Sequence, residues 1–256
     1  MATEPAQKRK RLCETTTKKI CPMIAKNREN TQFATLFDEL VTIEVSPEKK
    51  LFQIHKGLIC HHSEYFRGAF KGGFKESESK LVTLKEEVDH LAFQAFYQWL
   101  YTGKIRDDED EISWEASRDC QFLFNTYIFG DAHGIPDFQN TIVDRMYTSF
   151  MDKSAIPVTY IKNLYEHTTK GDNLRRFLVD IFQSMSQCEA VEFFSPSDQD
   201  HYPQEFLFEL SKALLEDDPG RERPWTMKDW GKLDTCRYHN HKDINAAVTA
   251  APGAEG

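Results

Sequence analysis

The apolar residues of this chain change their period, and the change fixes the fold class. Val41-Thr42-Ile43-Glu44-Val45 alternates apolar with polar side chains, and Leu51-Phe52-Gln53-Ile54-His55 returns in the same way after a turn at Ser46-Pro47-Glu48-Lys49-Lys50. Such alternation predicts the two half-buried strands of a hairpin. From Leu58 onward the spacing is helical, and a strand pattern comes back only at Lys80-Leu81-Val82-Thr83-Leu84. A short hairpin-based sheet has one apolar face to bury, and the helices must cover it. The fold class is therefore α+β.

The helical stretches carry their own boundaries. Leu58 to Phe70 reads as two pieces broken near Ser63, which can N-cap the second, with Gly72-Gly73 as the stop. Val88, Ala92, Phe96 and Trp99 form one stripe, and Phe93, Tyr97 and Leu100 a second, so this helix lies in the middle of a core and ends at Gly103. Cys120, Leu123, Phe124, Tyr127 and Ile128 make the next stripe. His133-Gly134-Ile135-Pro136-Asp137 is a helix-to-helix corner, with Gly at C′ and Pro at N1, and Phe138, Ile142, Met146 and Phe150 continue beyond it. Pro157 opens a further helix with Ile161, Leu164 and Tyr165 inward, and Gly171 stops it. Asp172 caps a helix carrying Leu174, Phe177, Leu178, Ile181, Phe182 and Met185. Ser195-Pro196-Ser197-Asp198 is expected to be a loop, and Phe206, Leu210, Ala213 and Leu214 mark the last helix before Pro219-Gly220. The Ala/Gly/Pro-rich stretch from Ala246 is expected to be disordered.

Charge and cysteine usage exclude several classes. The net charge of −9 makes the chain a poor default binder of nucleic-acid phosphate. Residues 1–30 are the exception, with a local balance of +5 that leaves −14 for the rest. Their Lys8-Arg9-Lys10-Arg11 cluster is either a nuclear-import signal or a solvated tail, so residues 1–32 are expected to be a disordered basic tail and the protein nuclear or cytoplasmic. No apolar run approaches 18 residues, the first 30 residues lack the apolar region of a secretory signal, and no Asn-x-Ser/Thr acceptor occurs. Cys13, Cys21, Cys60, Cys120, Cys188 and Cys236 form no CxxC pair, which suits reduced thiols better than a disulfide framework. The run Asp107-Asp108-Glu109-Asp110-Glu111 is an acidic connector, or a carboxylate metal site without EF-hand spacing.

The stretch from Phe52-Gln-Ile-His55-Lys-Gly-Leu58 through Ser63-Glu-Tyr65-Phe66-Arg67-Gly-Ala-Phe70 to Phe74-Lys-Glu76-Ser77, with Leu100-Tyr101-Thr102-Gly103, resembles the BTB/POZ domain. The likeness covers residues 38–152, with a core at 38–106, and implies the BTB/POZ fold. Tyr127 to Asp137 and Cys236-Arg-Tyr238-His239-Asn-His241 are similar to the fungal BTB group, whose helical C-terminal extension would occupy residues 155–217, leaving 218–256 as an irregular tail. The resemblance implies a non-enzymatic interaction module without a cofactor. It would form homodimers or higher oligomers and serve as an adaptor for a cullin-type ubiquitin ligase, bringing a substrate protein, or as a nuclear transcription-regulatory scaffold without direct DNA or membrane contact. Cullin-binding members carry a hydrophobic-x-Glu motif, and Phe74-Lys75-Glu76 stands in its place, either as an exposed partner anchor or with Phe74 packed back into its own domain. Many members also pair an Asp before the first strand with a basic residue in a dimer-surface pocket. Here Leu40 stands at the Asp position, Lys56 keeps the basic side, and the strand period is expected to point Glu39 elsewhere.

Few residues suggest chemistry. Cys236-x-x-His239-x-His241 could supply three zinc ligands, with Trp225 and Trp230 as a shield and Cys188 or His201 as a fourth ligand. The alternative is a segment that docks its His and Tyr side chains on the helices. Cys60-His61-His62 sits on a helix flank where neighbours point apart. His55 is expected to be a buried, hydrogen-bonded core residue rather than a base. No P-loop, GxGxxG, GxSxG or HExxH pattern occurs, so no catalytic residue is assigned.

Overall fold

Strand β1 (Leu40–Val45) is central in a three-stranded sheet of order β2-β1-β3, antiparallel to β2 (Lys50–His55) and parallel to β3 (Leu81–Leu84). A computed structural model describes residues 36–37, 39–71, 73–84, 89–105, 117–153, 158–184, 194–215 and 232–241. The alternation read in the sequence is the burial pattern: Val41, Ile43, Val45, Phe52, Ile54, Val82 and Leu84 are all buried on one face. Glu44 lies opposite Leu51 and Thr83, and Thr42 opposite Gln53 and Leu81, so Leu40, Leu51 and Leu81 share the outer face.

The parallel pairing of β1 with β3 needs a crossover, which α1 (Lys56–His62), α2 (Glu64–Lys71) and α3 (Lys75–Ser79) supply. Ser63 breaks α1 from α2 as expected. Its hydroxyl accepts from Phe66 N at 3.2 Å and donates to the His133 carbonyl at 2.7 Å. Arg67 reaches back to the Cys60 carbonyl at 3.0 Å and satisfies the end of α1.

Helix α4 (His90–Thr102) is buried on two stripes, with Ala92, Phe93, Ala95, Phe96, Trp99 and Leu100 inside. Asp89 caps its start through Leu91 N, and Gly103 ends it in the left-handed region. Its Phe93 meets Phe52 of the sheet at 4.8 Å, and Phe96 meets Phe138 at 5.4 Å. Each fully buried phenylalanine contributes about 2–3 kcal/mol of transfer free energy, so this cluster is the main glue between sheet and helices.

Helices α5 (Ser117–Ala132) and α6 (Pro136–Lys153) flank the His133–Ile135 corner, with Pro136 in the first position of α6. After a 3-10 turn at Val158–Tyr160 come α7 (Ile161–His167), α8 (Asn173–Ser184) and α9 (Gln204–Leu215). Asp172 caps α8 through Leu174 N and Arg175 N and also accepts from the Tyr127 hydroxyl at 2.9 Å, which ties α8 to α5. Arg175, buried, donates to Thr168 Oγ1, to the Tyr165 and Thr168 carbonyls and to Glu205, so one guanidinium joins the end of α7 to α8 and α9.

Some readings change. Pro196–His201 is a 3-10 helix rather than a plain loop: proline's fixed φ suits a first helical position, and Ser195 Oγ accepts from Ser197 N. Leu214 is exposed, because the buried side of α9 is Phe206, Leu210 and Ala213, and the next residue lies about 100° around the helix. His55 is only half-buried; its hydrogen bond is to the exposed Tyr101 hydroxyl, 3.0 Å from Nδ1. Lys8–Arg11, Cys13, Cys21, Gly72, Val88, Asp107–Glu111, Pro157, Met185, Cys188, Pro219-Gly220, Trp225, Trp230 and the stretch from Ala246 lie outside the described residues. Among the described residues, no helix is long and apolar enough to cross a membrane.

Candidate interaction surface

Phe74 projects from the turn that opens α3 and is 62% exposed. The turn is held from below: Ser77 Oγ donates to the Phe70 carbonyl at 3.0 Å, and Ser77 N to the Phe74 carbonyl at 2.9 Å. Lys75 is exposed and Glu76 half-buried beside it. Tyr65, also exposed, joins this side of the domain. Burial of part of its ring, and then the Glu76 charge, push its phenol above the usual range. Tyr65 is braced edge-on against His133 at 4.9 Å, and its N–H bonds the His133 carbonyl. Sequence reading missed Tyr65. The available signal was its place in the Ser63-Glu64-Tyr65-Phe66 run, where only Phe66 lies on the buried stripe of α2.

The second surface surrounds the start of β1. Glu39 bridges two lysines, with Lys56 Nζ at 3.0 Å and Lys80 Nζ at 2.9 Å. The bonds from Lys80 and then Lys56 hold its carboxyl below the ordinary range. This corrects the expectation that Glu39 points away from Lys56. Glu39 precedes the strand, so strand alternation does not govern it, and its carbonyl accepts from Lys56 N. Leu40 is 49% exposed next to the triad, and Phe37, also exposed, meets the His55 ring at 5.1 Å.

In α1, burial pushes the Cys60 thiol up, and its Sγ faces the Phe66 carbonyl. His61 and His62 stand edge-to-face at 4.8 Å, closer than flank geometry implied, and His62 packs on Trp99 while its Nδ1 lies 3.5 Å from Asp137. Burial, assisted by His62, drives His61 down to about 4.

Lys232–His241 crosses α6 and α8 as a strap with a 3-10 turn at Thr235–Tyr238. Tyr238 is fully buried, and its hydroxyl donates to Asp180 at 2.9 Å. His239 Nε2 faces Asp144 at 3.2 Å, and Cys236 Sγ lies 3.2 Å from His241 Nε2. His239 is thus turned onto a carboxylate of α6 rather than toward Cys236. Among the described residues, no three His, Cys, Asp or Glu side chains converge as a metal site.

Residues 30–114 match the family model of the BTB/POZ domain. They are a BTB/POZ domain. The small sheet, the α1–α3 crossover and α4 all fall within the matched span, as do both surfaces of exposed side chains just described. The BTB/POZ domain is a protein-interaction domain, and two of the relatives that follow carry BTB in their names. The chain is similar to BTB/POZ domain-containing protein 9 of Bos taurus, 22% identical over 46% of this chain and 18% of that protein. It is similar to Kelch repeat and BTB domain-containing protein 4 of Mus musculus, 30% identical over 29% of this chain and 14% of that one. Kelch-like protein 24 of Homo sapiens is 23% identical over 60% of this chain and 23% of its own length. The match therefore takes in less than a quarter of each of these relatives.

Proposed function

We propose that this chain is an interaction adaptor that self-associates through its BTB/POZ domain and uses Phe74, Lys75 and Glu76 to dock a cullin-type ubiquitin-ligase scaffold. The observation that carries the reading is the exposure of Phe74 at the head of α3 with Glu76 two residues on. A large apolar ring left in water beside a carboxylate suits a partner pocket ringed by hydrogen-bond donors. Self-association is supported by Leu40, Leu51 and Leu81, exposed on the outer sheet face among Thr42, Glu44 and Thr83. Burial of these leucines removes apolar area from water, which favours association. In this reading the helices from α7 onward, within the expected extension at residues 155–217, present a substrate protein.

The test is calorimetric titration of the full chain with the N-terminal part of the BTB-recruiting cullin, beside a Phe74→Ala/Glu76→Ala variant. Micromolar or tighter binding that the variant loses at least tenfold is expected. A folded wild-type chain that releases no heat with the cullin overturns the adaptor reading.

A further inference from the structure

The strap is fixed to α6 and α8 by a dense set of polar contacts. Asn140 of α6, 2% exposed, uses both ends of its amide on one strap residue. Its Oδ1 accepts from Asn240 N at 2.6 Å, and its Nδ2 donates to the Asn240 carbonyl at 3.0 Å. This paired reading of N–H and C=O is what a neighbouring strand offers, and it is blind to the side chain. Selectivity comes from four residues upstream of the clamp. Thr235 Oγ1 donates to Asp144 at 2.7 Å, which His239 also faces. The guanidiniums of Arg176 and Arg237 lie 5.7 and 5.3 Å from the Tyr238 ring centroid, and Phe177 meets the ring edge-on at 5.1 Å. Its hydroxyl and the Arg237 guanidinium, 3.6 Å away, both address Asp180, a carboxylate only 4% exposed. Arg176 donates to the Arg237 carbonyl.

Charge is matched locally: Asp180 of the seat meets Arg237 of the strap, and Arg176 of the seat meets the Tyr238 ring and the Arg237 carbonyl. Tyrosine flanked by a cation, with a backbone clamp two residues later, is a compact recognition pattern with one deeply buried aromatic anchor. We propose that the seam between α6 and α8 is a peptide-docking site for a partner segment carrying an Arg-Tyr pair at the end of a 3-10 turn, and that residues 234–241 occupy it as an intramolecular competitor. The site is separate from the Phe74 surface, so the inference stands whether or not a cullin binds.

The probe is a fluorescein-labelled peptide of Leu233–His241 with Cys236→Ser, titrated into the full-length protein by anisotropy. A tethered segment competes at an effective concentration of about millimolar, so the wild-type chain should bind the probe weakly. Full-length Arg237→Ala/Tyr238→Ala, which loosens the strap and leaves the seat intact, should bind it at least tenfold more tightly. Adding Asn140→Ala to that variant should cost at least tenfold. A loosened variant that keeps its circular dichroism and binds no more tightly than wild type overturns the proposal. If that variant does not fold, hydrogen exchange on the wild-type chain replaces it: millimolar probe must speed exchange across residues 235–241, and unchanged protection overturns the proposal. Loosening that converts a dimer into monomers in sedimentation assigns the seat to the strap of a second copy instead, which also overturns it.

Discussion

Ser63 serves two joints with one hydroxyl, capping α2 and bonding the carbonyl of His133, 70 residues away. Ser63→Ala should cost about 1–3 kcal/mol, read as a lower urea midpoint at unchanged slope. The cap was legible in the sequence because Ser at a helix break is a local signal; its second bond was not, because nothing local names His133. Glu39 failed for a related reason: alternation governs residues inside β1, and Glu39 stands one step before it. His61 brings in pH. In the fold it titrates at about 4, chiefly through burial, with His62 and Arg67 adding to the effect and Asp137 opposing it. The unfolded chain binds that proton near pH 6.5. The His61 contribution to stability should therefore fall as pH drops from about 6.5 to about 4, and then level off. Burial also lowers His133, which adds to the slope with the same sign. His61→Gln should flatten part of the slope between pH 7 and pH 4.5 in urea titrations; an unaltered slope assigns the effect elsewhere.

At the scale of elements, the corner between α5 and α6 is sensitive to change. Gly134 has φ +58°, and a Cβ there would sit 3.2 Å from Cβ of Glu64. Gly103 has a similar φ, +71°, but opens onto free space. Gly134→Ala should therefore cost more than Gly103→Ala, with the latter near 1 kcal/mol, and the difference should show in paired thermal melts. The helices and strands themselves were readable because period two and period 3.6 are written in the order of apolar residues, as in Val41 to Val45 or the double stripe of α4. The 3-10 helix at Pro196–His201 was not, because its Ser-Pro-Ser-Asp opening is equally good loop chemistry and only its packing beside the Val158–Tyr160 turn and α7 decides. The Phe74 surface was half legible: the motif named the residues, while exposure depends on whether any other element covers them.

Across the whole molecule, the outer sheet face should govern assembly. Leu40→Asp/Leu51→Asp is expected to shift the chain toward monomer in sedimentation velocity with its circular dichroism intact, since two charges would have to be desolvated on pairing. If Lys8–Arg11 directs nuclear import, replacing all four with alanine removes nuclear enrichment in cells, and an unchanged distribution ends that reading. The strap has a consequence in time. Its bonds span 58 residues to Asp180, 91 from Thr235 to Asp144 and 100 from Asn240 to Asn140. Such closures are the most costly in chain entropy and form after local structure. A ribosome also delivers the strap after both of the helices that receive it. The strap should then be the last piece to set and the first to leave: Tyr238→Phe should hasten unfolding in a stopped-flow chevron while the refolding limb stays where it was.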